Sequence, residues 1–301
     1  NDHCVAIGSS AMSGAASFTE GGGAYNNDPT IDHTADVRIV AGLQVRGTGI
    51  PDGATIASIT SGTQFELSAS TTGGNLTGQT LTFYTNVGDY NVAVGSYALD
   101  ATTTGASNVA IGHEAGTAIT FSSGAVAIGH QALSTEDEGA GSAVAVGFRA
   151  LQDQNVNSSH NVAIGWSAGL NLSSGTNNVF VGSVAGGAGV ITGYYNVVVG
   201  KDAGLNMTSA IGCVYVGRGA AGLGVATGAN NVVVGDAAGF DLTGGASNVL
   251  IGTSAGANLT DNTDNVAIGK SALATANTGE LSNIAIGSNA LTAETSGADG
   301  C

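Results

Sequence analysis

Charged and aromatic side chains are scarce in this chain of 301 residues, and proline and cysteine are scarcer still. Charged residues make up 9% of the sequence and aromatic residues 5%, with 2 prolines and 3 cysteines. Collagen is excluded, because it requires glycine at every third position and abundant proline. A zinc site built on a pair of neighbouring cysteines is not expected either, since Cys4, Cys213 and Cys301 are far apart in the sequence.

Positive charge is the scarcest kind of charge. The chain has 6 basic residues against 22 acidic ones, a net charge of −16, and no two basic residues are adjacent. Nucleic-acid binding is not expected, since it requires clustered Lys and Arg, and an anionic membrane would repel the chain. No apolar run approaches the roughly 20 residues of a membrane span, so we expect no membrane insertion. The first residue is Asn and no signal peptide precedes it, so we expect a processed or excised piece of a longer protein.

Small residues are abundant instead. Gly accounts for 50 residues, and hydrophobic residues, mostly Ala, Val, Ile and Leu, make up 43% of the chain. A disordered Gly-rich chain would lack the Val and Ile. The composition therefore indicates an ordered chain with small side chains and many tight turns.

A nine-residue unit recurs along the chain. Residues 108–116 read NVAIGHEAG, residues 161–169 read NVAIGWSAG, and residues 265–273 read NVAIGKSAL. From Gly95 to Gly287 the glycine of this unit returns in eleven steps of 17 or 18 residues. The glycines are Gly8, Gly95, Gly112, Gly129, Gly147, Gly165, Gly182, Gly200, Gly217, Gly235, Gly252, Gly269 and Gly287. So short and regular a period is typical of a solenoid, in which each unit stacks on the last.

Each column of the repeat has a physical role, as one unit illustrates. Val109 and Ile111 are the β-branched residues of a short strand, and Gly112 allows a turn without a Cβ. Ala115 suits a position where a larger side chain would collide with the next coil. Asn108 can form hydrogen bonds along the rod with the equivalent amides of neighbouring coils. The two residues after the glycine vary freely, so we expect them to face solvent.

We therefore predict an all-β protein, a parallel β-solenoid (β-roll) of 17–18-residue coils with strands about 4.8 Å apart. Residues 35–85 lack the repeat and alternate apolar and polar residues between turns, so they predict a small inserted β module. The predicted organisation is first solenoid coils in 1–34, the module in 35–85 and the main shaft in 86–301. One degenerate coil is expected within residues 18–34.

The middle residue of each short strand is never charged, which indicates burial on both faces of the strand. We predict that the Val and Ile on either side of it fill the solenoid, and that the middle column lines an interface between chains. In five consecutive coils this column carries large residues, which are Phe180, Val198, Tyr215, Val233 and Leu250.

The NVAIG-x-x-A repeat resembles the YadA-like head of trimeric autotransporter adhesins. The longer form at residues 168–182, AGLNLSSGTNNVFVG, is similar to repeats of bacteriophage tail fibres. The resemblance implies a β-roll, a homotrimer around one axis, and attachment to a host surface glycan or protein. It implies a virion-surface, extracellular or cell-surface location. It brings no catalytic residues and no cofactor. The period is longer than in the adhesin heads, which favours the tail-fibre resemblance.

Four residues in the first variable column are candidate receptor contacts: Phe148, Trp166, His113 and His130. Exposed aromatic rings on a polar rod can stack on sugars. The two histidines lie 17 residues apart in one column, so they should stack, and with Glu114 they could bind a metal or act as a base. Plain surface histidines are the favoured interpretation, so no metal site is predicted.

The alternative function is an enzyme on a solenoid, either an acyltransferase of the hexapeptide-repeat type or a glycan-acting fibre. The former requires three hexapeptides per coil, and only one per coil matches here. We therefore predict a structural and adhesive fibre segment rather than an enzyme.

Overall fold

A computed structural model describes residues 4–9, 11, 17–36, 38–51, 54–84, 90–102, 105–120, 122–135, 142–154, 159–275 and 282–292. Within these ranges all regular structure is β, in agreement with the predicted fold class. The same residues contain no helix of the length and apolarity needed to cross a membrane. The strands are β1 Val5–Ile7, β2 Ser17–Asn26, β3 Thr30–Asp32, β4 Gln44–Arg46, β5 Ile56–Ser61, β6 Gln64–Leu67, β7 Asn75–Tyr84, β8 Val92–Val94, β9 Val109–Ile111, β10 Val126–Ile128, β11 Val144–Val146, β12 Val162–Ile164, β13 Val179–Val181, β14 Val197–Val199, β15 Val214–Val216, β16 Val232–Val234, β17 Val249–Ile251, β18 Val266–Ile268 and β19 Ile284–Ile286.

The repeats form a parallel β-solenoid, as predicted. Strands β1 and β8 to β19 form one 13-stranded sheet in which each strand pairs in parallel with the next repeat. The register pairs like with like, for example Val126 with Val144 and Ala127 with Ala145. Strand β1 pairs directly with β8, so the sheet continues unbroken across the inserted residues.

The invariant glycine is required by both conformation and space. At Gly112 the backbone has φ +137°, which L side chains rarely adopt. A Cβ there would lie 2.6 Å from the carbonyl oxygen of Gly129 in the next coil. The invariant alanine is equally constrained, because Ala115 and Ala185 are fully buried. Both columns are therefore fixed by how closely the coils approach, as the sequence predicted.

The predicted asparagine ladder is present inside the solenoid. The side-chain oxygen of Asn178 accepts hydrogen bonds from the backbone N–H and the side-chain nitrogen of Asn196, each at 3.0 Å. The side-chain nitrogen of Asn178 donates to the carbonyl oxygen of Gly193 at 2.9 Å. Asn108 makes the same kind of contacts, with Ala125 and Ser122. These buried amides thus satisfy their own polar groups while tying each coil to the next.

The middle column of the strands is the core of the solenoid, so the prediction that it lines an interface between chains is wrong. Phe180, Val198, Tyr215, Val233 and Leu250 are fully buried within the single chain. Strict alternation shows which residues share a face of a strand, but it does not say which face points inward. Here the narrow interior takes one central side chain from each strand.

The Val and Ile columns on either side of that residue point outward, opposite to the prediction. Val109 is half-buried, and Ile111, Ile164 and Ile251 are 40%, 42% and 36% exposed. The described solenoid therefore carries two columns of β-branched side chains on the outer face of its sheet. Apolar side chains that remain exposed in continuous columns mark a candidate interaction surface.

The inserted module is a six-stranded antiparallel sheet with the order β4-β7-β2-β3-β6-β5. It has its own core, in which the rings of Phe65 and Phe83 meet edge to face at 5.8 Å. Strands β2 and β3 belong to this sheet, so the degenerate coil expected in residues 18–34 is not formed. The sheet begins at Ser17 rather than near residue 35. The sequence did not predict this strand because residues 21–23 are glycines, and glycine is a poor strand former.

Candidate binding surface on the solenoid

The two variable residues after each glycine form two parallel columns on the outside of the rod. The second residue has a left-handed backbone, with φ of 56° at Glu114 and 55° at Gln131 and Arg149. Because the coils are in register, residues of one column lie one coil apart. The first residue is exposed at His113, His130, Phe148 and Trp166.

These four side chains form a continuous stack, which we call the aromatic ladder. Ring centroids are 5.2 Å apart from His113 to His130 and from His130 to Phe148, and 6.2 Å apart from Phe148 to Trp166. Successive ring planes differ by 11°, 13° and 4°. The predicted stacking of the two histidines is confirmed, and all four candidate contacts lie in one row.

The ends of the aromatic ladder differ from its middle. His130 and Phe148 each have a ring on both sides, so their faces are covered. The edge of Tyr97 meets His113 at 6.0 Å and an angle of 83°. Trp166 is 55% exposed, and the next residue in its column is the small Ser183. Among the described residues, no aromatic ring covers the far face of Trp166, so this is the ladder face open to a ligand.

The second column forms a polar row beside the aromatic ladder. Gln131 Nε2 donates to Glu114 Oε2 at 2.7 Å, and Arg149 Nε donates to Gln131 Oε1 at 3.1 Å. The Arg149 guanidinium carbon lies 5.2 Å from the centroid of the Phe148 ring. This row fixes side chains on three successive coils and places a cation over an aromatic ring.

One group of side chains on this surface has the composition of a metal site. A ligand atom from each of His113, Glu114 and His130 lies within 4.8 Å of the other two. Nδ1 of His113 is 3.7 Å from Oε2 of Glu114. Two imidazoles and one carboxylate are ligands typical of zinc.

A cleft of about 380 Å³ opens farther along the same two columns. Its rim carries two ion pairs, Lys201 with Asp202 at 2.7 Å and Arg218 with Asp236 at 2.7 Å. A bidentate hydrogen bond from the Arg218 guanidinium lowers the pKa of the Asp236 carboxyl. Phe240 contributes an apolar wall to the cleft.

Sequence reasoning missed this cleft. A signal was available, because Arg218 and Asp236 carry opposite charges 18 residues apart in one column. Such a pair should meet across neighbouring coils. The sequence could not predict that Gly219 leaves room for the cleft, because that room depends on where the Phe240 ring lies.

No protein-family model, no curated protein and no solved structure matches this chain.

Proposed function

We propose that the chain is a structural and adhesive segment of a fibre that attaches its carrier to a host surface, as part of a phage tail fibre or a cell-surface adhesin. The observation that carries this proposal is the solvent-facing aromatic ladder on a rod of stacked coils. A rigid repeat surface of this kind holds many side chains in one line without a deep pocket. Its place is the surface of a virion or a cell.

The assembly we propose is a homotrimer. The outer face of the sheet carries the Val and Ile columns, and side chains such as Ile111 and Ile164 remain exposed in one chain. Covering them with further copies would bury apolar area, and each Å² buried would stabilise the assembly by about 25 cal/mol. The threefold number comes from the resemblance to adhesin heads; the exposed face supports association of copies.

The receptor contact we propose is a host glycan at the open end of the aromatic ladder. A sugar ring stacks its C–H face on an aromatic face, and Trp166 offers the uncovered face. The small Ser183 leaves room on the next coil. The charged groups of the cleft begin on the coil after that, at Lys201 and Asp202. A linear saccharide lying along the rod would meet the indole first and polar groups next.

Trp166 provides the readout for this proposal, because it is the only tryptophan in the chain. Titrating the intact protein with a panel of neutral and acidic oligosaccharides should produce a saturable change in its emission. Calorimetry should show that Trp166→Ala loses this binding. Tyr195→Ala is the matched control, since Tyr195 is 62% exposed and lies outside the ladder. Equal binding by Trp166→Ala, or no response to any saccharide, would contradict the proposed contact.

The acyltransferase alternative receives less support. Each described coil contributes one three-residue strand to a single long sheet, rather than the three strands per coil of a hexapeptide-repeat helix. A fibre that also cleaves glycans would be revealed by loss of the oligosaccharide during the same titrations.

A further inference from the structure

We propose that His113, Glu114 and His130 form a binding site for one divalent transition-metal ion, of the zinc type, that links two neighbouring coils. The plain surface-histidine interpretation treats the three residues separately, whereas the structure brings their ligand atoms together. The site lies at the end of the aromatic ladder opposite to Trp166. It does not depend on the proposed attachment function.

The solenoid fixes the spacing of the ligands. Strands β9 and β10 pair in register, with Ile111 opposite Ile128. His113 and His130 follow these residues at the same distance along the chain, so they are held one coil apart. Their rings are parallel within 11°, and Glu114 lies beside the first of them. Two ligands from one coil and one from the next therefore start close together.

The required adjustment is small. With metal–ligand distances of about 2.0–2.2 Å, donor atoms around a tetrahedral ion lie roughly 3.3 Å apart. The three donor atoms are already within 4.8 Å of one another. Both histidines are exposed and Glu114 is half-exposed, so side-chain rotation can close the gap without moving the backbone. The two imidazoles must tilt out of their parallel stack to direct lone pairs at one ion.

Three neighbouring features bear on the site: a hydrogen bond to Glu114, the position of Arg149 and the net charge of the chain. Gln131 Nε2 donates to the same Glu114 oxygen that approaches His113, and this bond helps to orient the carboxylate. Arg149 on the following coil holds its guanidinium over Phe148. The chain as a whole carries a net charge of −16, which attracts cations to its surface.

The ligand set selects the class of metal. Imidazole nitrogens suit Zn²⁺, Ni²⁺ and Cu²⁺, whereas Ca²⁺ and Mg²⁺ prefer oxygen ligands throughout. Three protein ligands leave a fourth position for water or another donor. We expect Zn²⁺ to bind and Mg²⁺ to leave the histidines unchanged.

The test is a titration of the metal-free, intact chain with Zn²⁺, followed by calorimetry and by nitrogen NMR of the imidazoles. The chain has 5 histidines, so their signals can be assigned by substitution. We expect one ion to shift the signals of His113 and His130 together. Observing the imidazoles separates this site from any binding to cysteine thiols.

Phenylalanine substitutions separate metal binding from stacking. His113→Phe and His130→Phe remove a ligand but keep a ring, and Phe148 shows that the column accepts one. Each removes a direct ligand and should weaken Zn²⁺ binding by at least the roughly 10–100-fold expected for loss of a group that only orients a ligand. Glu114→Gln should weaken it too, with the contact to Gln131 retained through its side-chain oxygen.

His160→Phe is the matched control, because His160 is exposed but lies outside the cluster, with Nδ1 3.0 Å from Ser159 Oγ. It should bind Zn²⁺ like the unmodified protein. The proposal is overturned if the unmodified chain shows no saturable shift of His113 and His130. It is equally overturned if the His130→Phe chain, folded by circular dichroism, keeps the full affinity.

Discussion

Phe180 fills the space that Gly186 leaves open. A Cβ built on Gly186 would lie 2.5 Å from Cε1 of the Phe180 ring. The two residues belong to the same coil, one in the strand and one at the fourth position after the invariant glycine. The large residue of the middle column is therefore accommodated by the absence of a side chain across the narrow core.

Coils with alanine in the strand often show the reverse arrangement. Ala145 shares its coil with Leu151, and both are fully buried. The coils of Ala93, Ala127 and Ala267 likewise carry Leu99, Leu133 and Leu273. The coils of Val198, Val233 and Leu250 carry Gly204, Gly239 and Gly256 at this position. In these coils the core volume is thus shared between two positions.

This exchange predicts strong coupling between the two positions. Phe180→Ala alone should destabilise the protein by about 3–5 kcal/mol, because it leaves a cavity. Gly186→Leu alone should also destabilise it, since the new side chain meets the ring. The double variant recreates the pairing of Ala145 with Leu151, and Leu151 has φ 48°, so leucine is compatible with this backbone. Denaturant unfolding should show the double variant to be more stable than either single variant; independent, additive losses would contradict the argument.

The same correlation explains what could be predicted from the sequence. Constant residues at a constant period fix the columns, so the solenoid, the glycine turns, the buried alanines and the asparagine ladder were predictable. Which face of the strand points inward was not, because alternation is symmetrical. The pairing of large residues with glycine, as at Phe180 and Gly186, marks the inner face, but its meaning depends on both residues meeting across one core.

The candidate surface was predictable to a similar depth. The repeat alone places His113, His130, Phe148 and Trp166 in one outward column. It does not say that the inner rings cover each other's faces, because that depends on side-chain rotation. The sequence therefore predicts four candidate contacts, and in the structure the ring face left uncovered at the end of the row is that of Trp166.

The alanine column predicts a contrast between two neighbouring positions. Ala185→Leu should destabilise the protein by about 1–3 kcal/mol, because it overfills a packed coil. Ala185 is fully buried, whereas Ser183 is half-exposed. Ser183→Leu should therefore stay within about 0.5 kcal/mol of the unmodified protein. Thermal unfolding compares the two variants, and equal stability would contradict the alignment of the columns.

The inverted faces predict two different outcomes for a buried and an outward charge. Val198→Asp places an unpaired charge in the core of the single chain and should unfold it. Ile164→Asp places the charge on the outer face, where it should separate associated copies but leave each chain folded. Light scattering reports association and circular dichroism reports folding. A stable monomer for the unmodified chain would contradict the proposed homotrimer, and a folded Val198→Asp protein would contradict the assignment of the core.

The cleft predicts a change in titration behaviour. The hydrogen bond from Arg218 lowers the pKa of Asp236. Asp236 therefore stays ionised and paired down to a lower pH than an ordinary aspartate would, and the ion pair is lost only when Asp236 is protonated. Arg218→Gln should raise that pKa toward the ordinary value of aspartate. Asp261 is the control, because its pKa is lowered by hydrogen bonds from the Thr243 hydroxyl and the Gly244 N–H. Carboxyl NMR should show the pKa of Asp236 rising while that of Asp261 stays unchanged, and an unchanged Asp236 would show that the pair is not formed in solution.

Cys213 interrupts the asparagine ladder and provides the last prediction. Its sulfur accepts the backbone N–H of Asn231 at 3.4 Å and donates to the Gly228 carbonyl at 3.3 Å. Asn231, at the equivalent position of the next coil, accepts the backbone N–H of Asn248 through its side-chain oxygen at 3.0 Å. A thiol is both a weaker donor and a weaker acceptor than an amide.

Cys213→Asn should therefore stabilise the protein by about 1 kcal/mol, the net contribution of an ordinary hydrogen bond. Cys213→Ala should destabilise it, because the buried N–H of Asn231 would lose its partner. Asn248→Ala, in an intact stretch of the same ladder, should be destabilising for the same reason. Denaturant midpoints rank the three variants against the unmodified chain. If Cys213→Asn were less stable than Cys213→Ala, the sulfur would have to be retained for its packing beside Tyr215 rather than for its hydrogen bonds.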